Sequence, residues 1–118
     1  MLQHGRVSSA YYLAGYVVEL GLKACIAKRV TRHVLPDKKF IDALYTHDID
    51  KLVGLAGLRT ELKEQQAEDG EFAAFWGIVG EWTVDSRYTS TDDYSAQLMV
   101  LAVAHPQSGV LQWIKQHW

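Results

Sequence analysis

With 118 residues, 48% of them hydrophobic and including four Trp and six Tyr, the chain can bury a substantial core, which excludes the disordered class of low apolar content and high net charge. A formal net charge of -2 and a pI near 6.2 exclude a surface that coats duplex nucleic acid by neutralising many phosphates, so any nucleic-acid contact must be local. Cys25 is the only cysteine, which rules out an intrachain disulfide and a multi-cysteine metal site and marks it as a buried small hydrophobe.

The first predicted element is a long helix over residues 9 to about 30. Leu13, Tyr16, Val17, Leu20 and Ala24 recur at steps of three and four and share one face, with Ser8 or Ser9 as N-cap. Val18, Leu22, Cys25 and Ile26 fill much of the remaining circumference, so the helix is expected at the centre of the fold, enclosed on several sides. Gly15 and Gly21 each cost roughly 1 kcal/mol against Ala unless another helix packs closely there, so they predict close crossings. The basic run Lys28, Arg29, Arg32 and His33 suits a helix C-terminus, and Pro36 prevents continuation. The apolar stretch is broken by Glu19, Lys23 and Lys28, and no signal-peptide pattern is present, which leads to the expectation of a cytoplasmic protein.

A short helical turn is expected at 38–44. Thr46 then opens a helix at 48–56 with Ile49, Leu52 and Val53 or Leu55 inward and Gly57 as its stop. Residues 58–67 are polar helix formers. After Asp69 and Gly70 the pattern Phe72, Phe75, Trp76, Val79 runs to about Trp82, which predicts a second long core helix kinked near Gly70. Residues 83–90 read as a loop. Ser90 with Asp93 resembles a capping box for a helix over 92–105, with Leu98, Leu101 and Ala102 inward and Pro106 at its end. Val110, Leu111 and Ile114 place a last helix that ties down the C-terminus. Nothing reads as a strand, a repeat or a linker, so the class is all-α and the domain single, spanning 1–118.

Three groups of residues could carry chemistry. Glu19 and Lys23 stand four apart in the favourable order for a helical ion pair, and their apolar surroundings mean that they either reach a partly desolvated groove or stay paired as a structural unit. His47 lies in the run Thr46-His47-Asp48-Ile49-Asp50. It can hold a loop to another helix or serve a ligand, and with no second His four residues away it makes a weak metal site. Arg87 and Tyr88 suit bidentate phosphate contact and base stacking, though a loop Arg is more often simply solvated. Arg29, Arg32 and His33 are either a solvated helix end or a phosphate contact. Phosphate-cradling glycine loops, a nucleophile elbow and His-Glu-x-x-His are all absent from the sequence.

The run Ala10-Tyr11-Tyr12-Leu13-Ala14-Gly15-Tyr16-Val17-Val18-Glu19-Leu20-Gly21-Leu22-Lys23-Ala24, with Thr46-His47-Asp48-Ile49, Leu52, Trp82 and Arg87-Tyr88, resembles the HEPN domain (higher eukaryotes and prokaryotes nucleotide-binding) over roughly residues 5–57 and 72–118. The resemblance implies an up-and-down bundle of four to five helices that homodimerises, binds nucleotides or RNA, and pairs with a minimal nucleotidyltransferase in a toxin–antitoxin or defence system. It assigns ligand contacts to Glu19, Lys23, His47, Asp48, Arg87 and Tyr88, with no cofactor and no membrane. Many members are metal-independent ribonucleases with an Arg followed, after four to six residues, by a His. Here no His follows Arg87 until His105, and only three residues separate Arg29 from His33. A ribonuclease would therefore need Arg87 and His47 to meet in space, and the remaining reading is a structural assembly subunit for a nucleotidyltransferase. Family members also carry a further helix ahead of the Gly5-Arg6 region, so the resemblance implies either a shortened first helix or a face covered by a partner.

Overall fold

The longest element is a 32-residue helix, α1 (Leu2–His33). The computed structural model describes residues 2–33, 37–83 and 92–118, with side chains from 9–30, 37–83 and 92–118. Among these, six further helices follow: α2 (Lys38–Ala43), α3 (Ile49–Ala56), α4 (Arg59–Glu68), α5 (Gly70–Gly80), α6 (Asp93–Ala104) and α7 (Val110–Lys115). No strand occurs among the described residues, as the all-α reading expects. The helical segments outnumber the expected four to five, because two are six-residue pieces and one expected long helix is split in two.

Local chemistry sets most helix ends. Asp37 caps α2 by accepting from the Phe40 N–H at 2.7 Å, and Asp48 caps α3 by accepting from Lys51 N at 3.3 Å. Thr46, the expected cap of α3, instead accepts from the Asp48 N–H at 3.1 Å, two positions ahead of the cap residue. Gly57 ends α3 with φ 73°, the left-handed conformation that glycine adopts without strain. His105, forced extended by Pro106, ends α6 at ψ 130°.

Three expectations are corrected. Ser8 and Ser9 do not start α1, which already runs from Leu2. Once a helix is nucleated, each added residue gains a hydrogen bond, and a serine costs too little to stop it. The long helix expected through Gly70 is two helices, because Asp69 at φ -134° and ψ 100° leaves the helical region and accepts from the N–H groups of Glu71 and Phe72. The cap of α6 is Asp92, bonded to Ser95 N at 2.6 Å; Ser90 lies outside the described residues.

The core is one cluster. α1 contributes Val18, Leu22, Cys25 and Ile26, α3 contributes Ile49, Leu52 and Val53, and Phe72, Phe75, Val79, Trp82, Met99, Ala102, Trp113 and Ile114 close it from the C-terminal half. α1 contacts α3, α6 and α7, while α5 contacts α4, α6 and α7. Burial lifts the Cys25 thiol above its ordinary pKa, in keeping with an inert core residue. A close helix crossing occurs at Gly21, where a Cβ would come within 2.9 Å of Ile114 Cγ2 on α7, whereas Gly15 is held by the Trp82 indole from the segment after α5 and not by a helix. The residues 9–30 are long and apolar enough to cross a membrane by length and composition, and 39% of an 18-residue window within them is buried in this fold.

The interhelical corner at Asp69 carries a pH dependence. Its carboxylate accepts from the Ser108 hydroxyl at 2.7 Å, and His105 Nδ1 accepts from the N–H groups of Ser108 and Gln107, which leaves Nε2 to donate to Glu71 at 3.1 Å. The Ser108 hydroxyl above all, and then the Phe72 N–H, hold the Asp69 carboxyl below its usual range. A depressed carboxylate contributes stability that is present above its unfolded pKa of about 3.9 and is lost as the pH falls through the lower folded value. Asp69→Asn should therefore melt below wild type at neutral pH and converge with it on acidification below about pH 4. A melting gap that stays constant between pH 7 and pH 3 would rule this linkage out.

Candidate functional site

Steps of four, three and four place Tyr12, Tyr16, Glu19 and Lys23 in one strip along α1. Glu19 is the only charged side chain in the buried core among the described residues, at 1% exposure. Its Oε2 accepts from Lys23 Nζ at 3.2 Å, and both carboxylate oxygens lie 3.0 Å from His47 Nδ1. Two partners on a desolvated carboxylate meet the requirement that a buried charge be paired and hydrogen-bonded. The sequence left open whether Glu19 and Lys23 would reach a groove or stay paired; they are paired, and the pair extends to a third residue 28 positions from Glu19.

His47 sits where it does because α3 is anchored through Ile49, Leu52 and Val53 against α1, and the Thr46-Asp48 turn fixes the residue between them. With Nδ1 donating to Glu19, the imidazole is held in the tautomer whose Nε2 is free to accept, and 46% of the side chain remains exposed. A buried carboxylate thus orients a solvent-facing imidazole. Such an imidazole can accept a proton, donate one when protonated, or contact an anion.

Beside His47 lies a cavity of about 270 Å³, between His47, Asp48 and Asp50 on one side and Trp76, Trp82 and Thr83 on the other. Trp82 is a fixed wall. Its Nε1 donates to the Tyr12 carbonyl at 3.2 Å, its ring lies 5.7 Å from that of Tyr12, and Gly15 makes room for it. Trp76 is half-buried, packed on Phe72 and Trp113.

Of the residues singled out in the sequence, Glu19, Lys23 and His47 come together, and Asp48 lines the cavity while its carboxylate caps α3. Arg87 and Tyr88 lie outside the described residues, four and five positions beyond Thr83. Arg29 donates to the Leu55 carbonyl at 2.7 Å and packs under Gly57, so it closes the end of α3; the side chains of Arg32 and His33 are outside the described set. Trp76, Asp50 and Thr83 were not picked out as cavity residues. No local sequence signal marks them, because the cavity exists only where the start of α3 comes to lie across from Trp76 and Trp82. No group of three or more His, Cys, Asp or Glu side chains among the described residues could hold a metal ion.

Fold and site together define an all-α protein with a carboxylate-oriented histidine at an aromatic-walled cavity. Comparison with family models, with curated proteins and with solved structures finds no match for the chain.

Proposed function

We propose that this chain is a HEPN-like binding module that takes a nucleotide or a short segment of RNA at the His47 cavity. The observation that carries the reading is the buried Glu19 carboxylate holding His47 Nδ1 at 3.0 Å, which fixes a solvent-facing imidazole in the lining of a cavity walled by Trp76 and Trp82. A volume of about 270 Å³ suits one planar base rather than a larger ligand. Of the two indoles the half-buried Trp76 is the one accessible to a base, and a stacking contact contributes about 1–3 kcal/mol per base. Asp50 is already paired with Arg59 at 3.2 Å, and Asp48 repels phosphate but can accept from the exocyclic amino group of a base, so the backbone phosphates would fall to Lys23 and to Arg87. The test is a tryptophan-fluorescence titration with nucleotides and short RNAs. Wild type should bind, with His47→Ala and Arg87→Ala each weakening affinity at least tenfold; equal affinity in all three proteins, or none in any, removes the site.

One observation favours a second reading, a metal-independent ribonuclease. A histidine oriented by a buried carboxylate is the arrangement a general base needs, and Arg87 would supply the positive charge for the developing phosphorane. Incubation with RNA in chelator separates the readings. Cleavage lost in both His47→Ala and Arg87→Ala favours the enzyme, and cleavage that survives both excludes these residues.

A further inference from the structure

The polar side chains around the His47 cavity accept hydrogen bonds more than they donate them. Among the described residues that line it there is no lysine, arginine, asparagine or glutamine. The Trp82 Nε1–H is already given to the Tyr12 carbonyl. His47 gives its Nδ1–H to Glu19, which leaves Nε2 as an acceptor. Of the two carboxylates in the lining, that of Asp50 takes the Arg59 guanidinium at 3.2 Å. Asp48 is exposed, and its Oδ1 takes one backbone N–H, that of Lys51, at 3.3 Å. A carboxylate has about four lone-pair sites on its two oxygens, so Asp48 can cap α3 and still accept two further donors side by side. The cap bond and the docking of α3 also hold it in place, so little side-chain freedom is lost when a ligand binds.

Resting on the reading of the cavity as a nucleobase site, we propose that it selects guanine and that the Asp48 carboxylate is the group that reads the base. Among the four RNA bases, guanine alone carries two donors side by side on its pairing edge, the ring N1–H and the amino group on C2. They meet the two oxygens of one carboxylate as the prongs of a guanidinium do. Adenine and cytosine each set a bare ring nitrogen beside the amino group, and its lone pair would face a carboxylate oxygen. Uracil has a ring N–H flanked by carbonyls, so on either side an oxygen would meet an oxygen. The first N–H groups of α3, at Ile49 and Asp50 in the cavity lining, have no carbonyl within their own helix and suit the guanine O6 on the other side of N1. A matched bidentate contact favours the right base by roughly 5- to 100-fold.

Calorimetric titration of the full chain with the monophosphates of guanosine, inosine, adenosine, cytidine and uridine tests this. Guanosine monophosphate should bind tightest. Inosine monophosphate, which lacks only the amino group on C2, should bind about fivefold or more weakly, and uridine monophosphate about tenfold or more. Asn is as good an N-cap as Asp, so Asp48→Asn should keep the wild-type melting curve. Its amide pairs one donor with one acceptor, which matches the C2 carbonyl and N1–H of xanthine. The variant should therefore bind xanthosine monophosphate more tightly than guanosine monophosphate, the reverse of wild type. Equal affinity of wild type for guanosine and uridine monophosphates overturns the proposal and leaves the nucleobase site standing, whereas no binding of any of the five removes both. An Asp48→Asn protein that folds and still prefers guanosine to xanthosine monophosphate overturns the assignment to Asp48.

Discussion

Gly15→Ala is expected to destabilise the protein by at least about 2 kcal/mol, although alanine is the better helix former by about 1 kcal/mol. A Cβ at this position would land on Cγ, Cδ1 and Nε1 of the Trp82 indole, well inside van der Waals contact. The indole cannot swing aside like the end of a flexible chain. It is 3% exposed, packed on Tyr12 and bonded through Nε1 to the Tyr12 carbonyl, so moving it breaks that bond and opens the wall of the cavity. Chemical denaturation should show the loss as a lower midpoint with little change in slope. A double-mutant cycle with Trp82→Leu isolates the cause: the penalty of Gly15→Ala should largely vanish in the Trp82→Leu background. If Gly15→Ala is as stable as wild type, the close crossing of Trp82 over α1 is not what holds this glycine in place.

Glu19 should respond to substitution in a way that separates support from function. Glu19→Ala leaves a void at a 1% exposed position and removes the acceptor for two side chains, which should cost about 2–4 kcal/mol. The figure sits toward the low end for a broken buried pair, because Lys23 at 29% and His47 at 46% exposure can turn to water. Glu19→Met refills the volume without a charge, and buried ion pairs are often replaceable by apolar side chains, so its stability should lie within about 1 kcal/mol of wild type. The methionine variant should nevertheless lose the fixed His47 tautomer, visible in the imidazole nitrogen shifts, and with it most of the affinity for the nucleotide or RNA ligand. Full ligand affinity in Glu19→Met would reduce the carboxylate to a packing element, and a wild-type melting curve for Glu19→Ala would contradict its burial.

The grouping of Glu19, Lys23 and His47 was legible in part. Spacing placed Glu19 and Lys23 on one face of one helix, and the cap chemistry around Asp48 put His47 just ahead of α3, but the contact between them spans 28 residues and depends on how α3 docks. Trp76 read as a core residue because its spacing with Phe72, Phe75 and Val79 is that of a buried stripe. Spacing does not reveal that Trp76 also lines a cavity, because that depends on where the start of α3 comes to lie.

The faces of the two longest apolar helices show the same limit. On α1 the sets Leu13, Tyr16, Val17, Leu20, Ala24 and Val18, Leu22, Cys25, Ile26 together were expected to leave the helix enclosed on several sides; the second set is buried, as expected, but Leu13, Val17 and Leu20 are exposed. On α6 Leu98, Leu101 and Ala102 were expected inward; Ala96, Met99, Ala102 and Val103 are buried, Leu98 is half-buried and Leu101 is 47% exposed. A helix apolar around most of its circumference has no preferred side of its own.

By itself the sequence determined where two helices end, at Gly57 and Pro106, and that another element packs closely at Gly15 and Gly21. Those outcomes depend on hydrogen bonds and steric limits within a few residues of each position. Tertiary structure alone decided which side of α1 faces the core. That choice rests on contacts distant in sequence, Gly15 with Trp82, Glu19 with His47 and Cys25 with the Ile114 carbonyl, and each is made only after the other helices have docked.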